Sequence, residues 1–334
     1  MQQRQLGAGG PLVSALGLGC MGMSEFYGPS DDEQSLRTLA RALELGINLF
    51  DTADTYGLGH NEQLLGRFIR QGGAARRQQV VVATKFGIVR QAGVYERRID
   101  NSPAYIRAAC EASLRHLGLE RIGLYYCHRR DPAVPIEEVV GAMADLVAAG
   151  KVGAIGLSEV SEQTLRRAHA VHPVAALQSE YSLWSREPEA GLLATCAELG
   201  TAFVAYSPLG RAFLTATVDT AQLADNDFRK HNPRFSGEAE AHNRQLVSAL
   251  ADFAKARGLS NAQLALAWLL HKAPHVIPIP GTRRIAYLES NAASTEIRLS
   301  SDDIAWLDRL FDPTAVAGAR YPEAGFAGVE INQR

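Results

Sequence analysis

The sequence predicts a (β/α)8 TIM barrel, and three observations carry that expectation. Eight short apolar runs are spread along the chain, each followed by a stretch with the apolar spacing of a helix. The runs lack an alternating polar face, so both faces of each strand are covered and the sheet is parallel. With 334 residues, 46% of them hydrophobic, the chain can bury one large core, and no linker divides it, so residues 1–334 read as a single barrel domain.

The elements follow in order. Leu6-Gly-Ala-Gly-Gly-Pro-Leu-Val-Ser14 is glycine-rich around two short extended pieces and reads as a β-hairpin plugging one end of the barrel. Residues 15–20 are the first strand. The first helix opens at Ser30-Asp-Asp-Glu33, a capping box in which the serine oxygen and the Glu33 carboxylate satisfy orphan N–H groups. Leu36, Leu39, Ala40 and Leu43 share its inner face and Gly46 ends it. Residues 47–50 form the second strand and 62–69 its helix; residues 80–84 are a β-branched third strand. Ser102-Pro103 caps a helix whose Ile106, Cys110, Leu114 and Leu117 face inward, and residues 122–127 are the fourth strand. Pro135 starts a helix with Val139, Met143 and Leu146 inside, stopped by Gly150. Residues 152–157, 174–178 and 202–206 are strands five to seven, separated by helices over 162–170 and 187–199. A helix over 260–270, with Leu264, Ala267 and Trp268 on its apolar face, precedes the eighth strand at 276–279. Two stretches depart from the repeat: the 208–240 connection, long enough to be a lid, and a helical tail near 301–310.

Composition narrows the function. The net charge is −2 and no long Lys/Arg block occurs, which argues against nucleic-acid or anionic-membrane binding. No run of about 18 apolar residues is present, and Met1-Gln-Gln-Arg-Gln-Leu6 lacks a secretory pattern, so a cytoplasmic location is expected. Cys20, Cys110, Cys127 and Cys196 form no Cys-x-x-Cys pair, as expected of small buried hydrophobes in a reducing compartment. His169-x-x-His172 has no third ligand in view, so no metal is expected.

Catalytic residues of such barrels sit at the C-terminal ends of strands. Asp51 ends the second strand, Lys85 the third and His128 the fourth, while Tyr56 stands on the loop after the second. Taken singly they read as a turn residue, a snorkelling lysine, a core histidine and a rim tyrosine. Together, on three consecutive strands, they make a site. A phenol titrates near ~10; a neighbouring ammonium favours its phenolate, and Asp51 can hold Lys85 charged and in place. A neutral His128 can donate to an oxygen gaining charge. The set reads as a proton donor aimed at a carbonyl under reduction.

The stretches Phe50-Asp-Thr-Ala-Asp-Thr-Tyr-Gly57, Ala83-Thr-Lys85, and Ser113-Leu-Arg-His-Leu-Gly-Leu119 with Leu124-Tyr-Tyr-Cys-His128 resemble, in order, the catalytic blocks of the aldo-keto reductase superfamily. The likeness runs over essentially the whole chain and is nearest to bacterial pyridoxal reductases and plant auxin-induced proteins. It implies Tyr56 as general acid, Lys85 as the group that tunes it, Asp51 as partner of Lys85, and His128 as orienter of the carbonyl.

The reaction then needs a hydride donor. Gly17-Leu-Gly-Cys-Met-Gly22 fits the G-x-G-x-x-G pattern, but the next helix opens only near Asp31, so this is a chance match. The resemblance instead places Ser158 and Gln178 on a nicotinamide carboxamide, Tyr206 against the ring, and Gly19, Cys20, Met21 and Asp51 along its floor. It puts the backbone of Ser207-Pro208-Leu209-Gly-Arg211 around the pyrophosphate; relatives often continue with glycines where this chain has Ala212 and Ala216. In Ile279-Pro-Gly281-Thr282-Arg283-Arg284, two guanidinium groups stand beside a helix start, which looks like a 2′-phosphate site and implies NADPH (NADP+) over NADH. Asn291 resembles the adenine contact. Phe26, Tyr27, Trp184, Phe228 and Phe235 are the aromatics available to the substrate side, with Phe26, Trp184, Tyr56 and His128 as the candidate contacts.

The expected partner is a small-molecule carbonyl, preferably an aldehyde; methylglyoxal, pyridoxal and aromatic aldehydes all fit, and association into a homo-oligomer is left open. Two other readings compete. Lys85 as the Schiff-base lysine of a barrel aldolase is opposed by Asp51, which keeps it charged. A nucleotide-sensing channel subunit needs a partner surface that sequence does not display.

Overall fold

The computed structural model describes residues 1–91, 94–225 and 227–331. Eight parallel strands, β1 (Leu18–Gly19), β2 (Leu49–Asp51), β3 (Val81–Phe86), β4 (Leu124–Cys127), β5 (Ile155–Ser158), β6 (Val174–Glu180), β7 (Ala202–Tyr206) and β8 (Val276–Pro278), pair in chain order. The ring closes between its ends: Gly17 N donates to Pro278 O at 3.0 Å and Gly19 N to Pro280 O at 3.3 Å. Gly19 and Gly281 bridge in parallel there, and a Cβ on Gly19 would lie 2.9 Å from Ile279 O, so the seam requires glycine. The barrel expected from the sequence is therefore present.

Eleven α-helices occur among the described residues: α1 (Asp32–Glu44), α2 (His60–Gln71), α3 (Gly73–Gln79), α4 (Pro103–Leu117), α5 (Ile136–Ala148), α6 (Glu162–Val171), α7 (Leu192–Leu199), α8 (Gly237–Lys255), α9 (Asn261–Lys272), α10 (Ile285–Ala293) and α11 (Ser301–Leu310). Three details differ from the sequence reading. The cap of α1 is Asp31, whose carboxylate accepts from Gln34 N at 2.9 Å; Ser30 lies one residue too early, and Asp caps as well as Ser. The helix expected over 187–199 breaks at Gly191, whose non-helical φ of +141° separates a 3-10 turn, Glu187–Ala190, from α7; the Glu162 carboxylate occupies the space a Cβ there would need, so the position takes glycine. An antiparallel hairpin, Ile88–Gln91 with Val94–Ile99, rises after β3 where no element was expected.

The core has two layers. Inside the ring, Leu49, Ala83, Leu124, Tyr126, Ala154, Ala176, Val204 and Ile277 fill the barrel. Leu6 and Val13, carried by the antiparallel hairpin Gln3–Gln5 with Leu12–Ser14, stop its N-terminal end. Between strands and helices lies the larger layer, including Leu39, Phe68, Ile106, Met143, Leu165 and Trp268. Fully burying one such side chain contributes about 1.5–3 kcal/mol. Gly156 shows how tightly the interior is set: it pairs with Tyr126 across β4 and β5, and a Cβ there would meet the tyrosine ring at 2.4 Å. Gly156→Ala is expected to destabilise the fold by about 1–3 kcal/mol through overpacking; an unchanged urea midpoint would refute this.

The plug leaves the C-terminal rim open. Over that rim run the 208–236 connection, with 3-10 turns at Phe213–Thr215, Thr220–Gln222, Phe228–His231 and Pro233–Phe235, and the segment following α11. Asn226, in the middle of the expected lid, lies outside the described residues. The C-terminal segment is fastened to the rim: Glu330 N donates to Glu159 O at 2.8 Å, and the Glu330 carboxylate pairs with Arg130 and accepts from Ser161 N at 3.0 Å. No helix among the described residues is long and apolar enough to cross a membrane.

Candidate active site

Parallel register brings the ends of β2 and β3 together. Asp51 pairs with Ala83, so Lys85 reaches past it: its Nζ donates to Asp51 Oδ1, to Thr52 O at 2.7 Å and to Tyr56 Oη at 3.4 Å. From β6, Gln178 Nε2 donates to the other Asp51 oxygen at 2.7 Å. Tyr56 opens a 3-10 turn, Tyr56–Gly59, in which Gly57 (φ +56°) and Leu58 (φ +53°) reverse the chain into α2. The turn is pinned from behind, where Asn61 Nδ2 donates to Cys20 O at 2.8 Å and Thr52 Oγ1 donates to Asn61 Oδ1 at 2.6 Å. His128, one residue beyond β4, stands edge-on to Tyr56 with ring centroids 5.8 Å apart. The four predicted side chains are together at one rim.

Their electrostatics differ from the sequence argument. Burial, with Asp51 adding to it, pushes the Tyr56 phenol well above its ordinary value, while Arg129 opposes. Burial also draws the Lys85 ammonium down, against Asp51. A downward shift was expected from Lys85; burial and the Asp51 carboxylate instead decide the direction, and it is upward. The consequence is a phenol that holds its proton at neutral pH, as a proton donor must.

Asp51, Tyr56 and His128 face a cavity of about 890 Å³, within the ~300–1,000 Å³ usual for small-molecule and cofactor sites. Of the predicted residues, Gly19, Met21, Phe26, Tyr27, Asp51, Tyr56, His128, Ser158, Gln178, Tyr206, Ser207, Pro208, Leu209, Arg211, Gly281, Thr282, Arg283 and Arg284 line it. Three do not. Cys20 is fully buried with its Sγ on Leu18 O, leaving the floor to its neighbours. Trp184 lies behind the wall, stacked on Phe213 at 5.2 Å, and Gly210 crosses its ring so closely that a Cβ would sit 2.6 Å away. Asn291 is buried in α10.

Two arginines are engaged otherwise than expected. Arg211 places its guanidinium on Glu180 at 2.8 Å and on Arg320 O at 3.2 Å, over the Tyr321 ring. Arg283 donates to the carbonyl oxygens of Tyr27, Gly28 and Pro29, clamping the loop before α1, whereas Arg284 is exposed at the start of α10. Ala212 (φ +72°) and Ala216 (φ +63°) adopt the left-handed conformation that glycine takes without cost.

Several lining residues were not anticipated. Arg129 follows His128 directly, in the charged run His128-Arg-Arg-Asp131 that could have marked it. Tyr321 reaches the cavity from the C-terminal segment and shares a 2.8 Å hydrogen bond with Tyr206, whose hydroxyl also donates to Glu159 at 2.7 Å. No local pattern announces that segment. Among the described residues no cluster of three or more His, Cys, Asp or Glu is arranged to hold a metal.

The comparisons agree with this geometry. The aldo/keto reductase family profile matches residues 15–312. The chain is 42% identical over 318 residues to the aldo-keto reductase yakc [NADP(+)] of Schizosaccharomyces pombe, covering 94% of this chain and 93% of that protein. Among solved structures it is similar to the glycerol dehydrogenase of Gluconobacter oxydans (TM-score 0.83, 28% identity, 93% of this chain and 96% of that one). It is also similar to an aldo-keto reductase from Klebsiella pneumoniae in complex with NADPH (TM-score 0.71, 30% identity, 94% and 96%). With a match over nearly its whole length and a barrel whose rim gathers Asp51, Tyr56, Lys85 and His128, the chain belongs to the aldo/keto reductase family.

Proposed function

We propose that the protein reduces aldehydes to alcohols with NADPH, Tyr56 giving the proton to the carbonyl oxygen. The observation that carries this is the Lys85 ammonium, buried 3.4 Å from the Tyr56 oxygen and held by Asp51, just behind the wall that Asp51 and Tyr56 form in a cavity extending to the start of α10. As the Tyr56 proton leaves, negative charge develops on Oη beside that ammonium, which is already oriented by Asp51 and Thr52 O and needs no rearrangement to stabilise it. His128 donates to the carbonyl oxygen and turns it toward Tyr56. An aldehyde is the expected substrate over a ketone, because an aldehyde carbon carries a hydrogen on one side and is less hindered toward hydride.

The cavity fits NADPH. The helix α10 has no side-chain cap, so its first N–H groups remain available to an anion, and exposed Arg284 with Thr282 stands beside them; these would hold the 2′-phosphate. The backbone of residues 207–211 would take the pyrophosphate, and Ser158, Gln178 and Tyr206 the nicotinamide. NADPH when bound supplies hydride for the carbonyl carbon. The four free cysteines are all buried, which suits a reducing, cytoplasmic setting. The aldolase reading loses ground: Lys85 is fully buried behind Asp51 and Tyr56 and does not line the cavity, so a carbonyl cannot reach its nitrogen.

A panel of aldehydes and ketones, with NADPH and then NADH oxidation followed optically, tests the reading. Arg284→Ala should raise KM for NADPH by about 10-fold, the scale of one lost charge-assisted hydrogen bond, and leave KM for NADH nearly unmoved. Equal changes for both cofactors would remove Arg284 from the phosphate site, and no aldehyde turnover would remove the reaction itself.

A further inference from the structure

A guanidinium stays charged in a protein, and taking it out of water is costly unless an anion meets it. Most cations around the cavity have found one. Lys85 has Asp51, Arg211 has Glu180 at 2.8 Å, Arg90 has Glu25 at 2.8 Å and Arg229 has Asp227 at 2.7 Å. Arg320 takes both oxygens of Glu159, at 3.1 and 3.0 Å.

Arg129 is the exception at the catalytic end. It is 7% exposed and lines the cavity. Its two side-chain hydrogen bonds both leave from Nη1 and both go to neutral acceptors, His128 O at 2.7 Å and Ser158 Oγ at 3.2 Å. Its Nε has no hydrogen-bond partner among the described residues. The Glu159 carboxylate acts on it through its charge, but the hydrogen bonds of Glu159 go to Arg320, the Tyr206 hydroxyl and the Glu180 N–H. A buried cation with unused donors therefore faces the space beside Tyr56 and His128, where the carbonyl is placed by the reading above. A neutral carboxamide cannot neutralise it, and the phosphates are assigned to the far end, at residues 207–211 and α10.

We propose that Arg129 is a specificity-determining residue that binds an anionic group on the substrate, so that the enzyme prefers carbonyl compounds bearing a carboxylate. One guanidinium matches the single charge of a carboxylate and its pair of oxygens. Phe26 and Ile88, lining the same cavity, give the rest of the molecule an apolar wall. This inference rests on the carbonyl-reducing reading of the site.

The test compares 3- and 4-carboxybenzaldehyde with their uncharged methyl esters, in the parent enzyme and in Arg129→Gln. The acid-to-ester ratio of kcat/KM should fall about 10- to 100-fold in Arg129→Gln, mostly through KM of the acid, and Arg129→Lys should restore part of it. An equal loss for acid and ester would overturn the proposal, assigning Arg129 to the cofactor or to Tyr56. Calorimetric titration with benzoate separates this inference from the reaction on which it rests. Benzoate binding to the parent that is lost in Arg129→Gln and partly regained in Arg129→Lys supports the anion site even if no aldehyde is reduced. Binding that is equal in all three, or absent from the parent, overturns it. Should Arg129→Gln fail to fold, Arg129→Lys still decides: a partial loss of the acid preference and of benzoate affinity, with the esters unmoved, supports the proposal, and an unchanged acid-to-ester ratio with unchanged benzoate affinity overturns it.

Discussion

Tyr56→Phe is expected to lower kcat for aldehyde reduction by about 10²–10⁴-fold, the range a positioned general acid supplies. The change deletes one oxygen and little else. The ring keeps its edge-on contact with His128, and Lys85 keeps Asp51 and Thr52 O. Cofactor affinity, read from quenching of NADPH fluorescence, should therefore hold while turnover collapses. The pH profile carries a second check. Because burial and Asp51 raise the Tyr56 phenol, its acid form persists as pH rises and is lost only above the ordinary phenol range near ~10. The parent should keep its rate through mildly alkaline pH as far as this proton is concerned. A parental rate in Tyr56→Phe would remove Tyr56 as the acid.

Much of this site was legible because strand ends are legible. Asp51, Lys85 and His128 each close a short apolar run, and a closed parallel ring places the ends of consecutive runs side by side whatever the helices between them do. What could not be read is everything set by contacts distant in sequence. Arg283 and Arg284 are adjacent and chemically identical, yet Arg283 is claimed by carbonyl groups of residues 27–29 and only Arg284 faces outward. Trp184 looks like a pocket aromatic until Gly210 is seen lying on its ring. Arg320 and Tyr321 come from an aperiodic segment whose position depends on meeting Glu159 and Tyr206, and no local spacing encodes that encounter. The direction of the Tyr56 shift was missed for a related reason: proximity of Lys85 follows from the strands, but the depth of burial that outweighs it does not.

Removing one member of the Asp51–Lys85 pair should produce the largest loss of stability. In Lys85→Met the Asp51 carboxylate stays buried with Gln178 as its remaining side-chain donor, and breaking such a pair costs about 3–5 kcal/mol. Asp51→Asn leaves a fully buried ammonium without its counter-charge and should cost a similar amount, about 3–5 kcal/mol. The double variant is the informative one. With both charges gone, the amide introduced by Asp51→Asn still accepts from Gln178, and the methionine fills most of the lysine's volume. Its urea unfolding should lie closer to the parent than either single variant does, a coupling of at least ~2 kcal/mol. Additive losses would mean that the two side chains are independent. The same double variant should not reduce aldehydes measurably faster than either single one, because the ammonium that donates to Oη is gone. A protein nearly as stable as its parent and catalytically silent would show that this ion pair is retained for the charge it offers Tyr56, since an uncharged pair of similar volume holds the barrel together about as well.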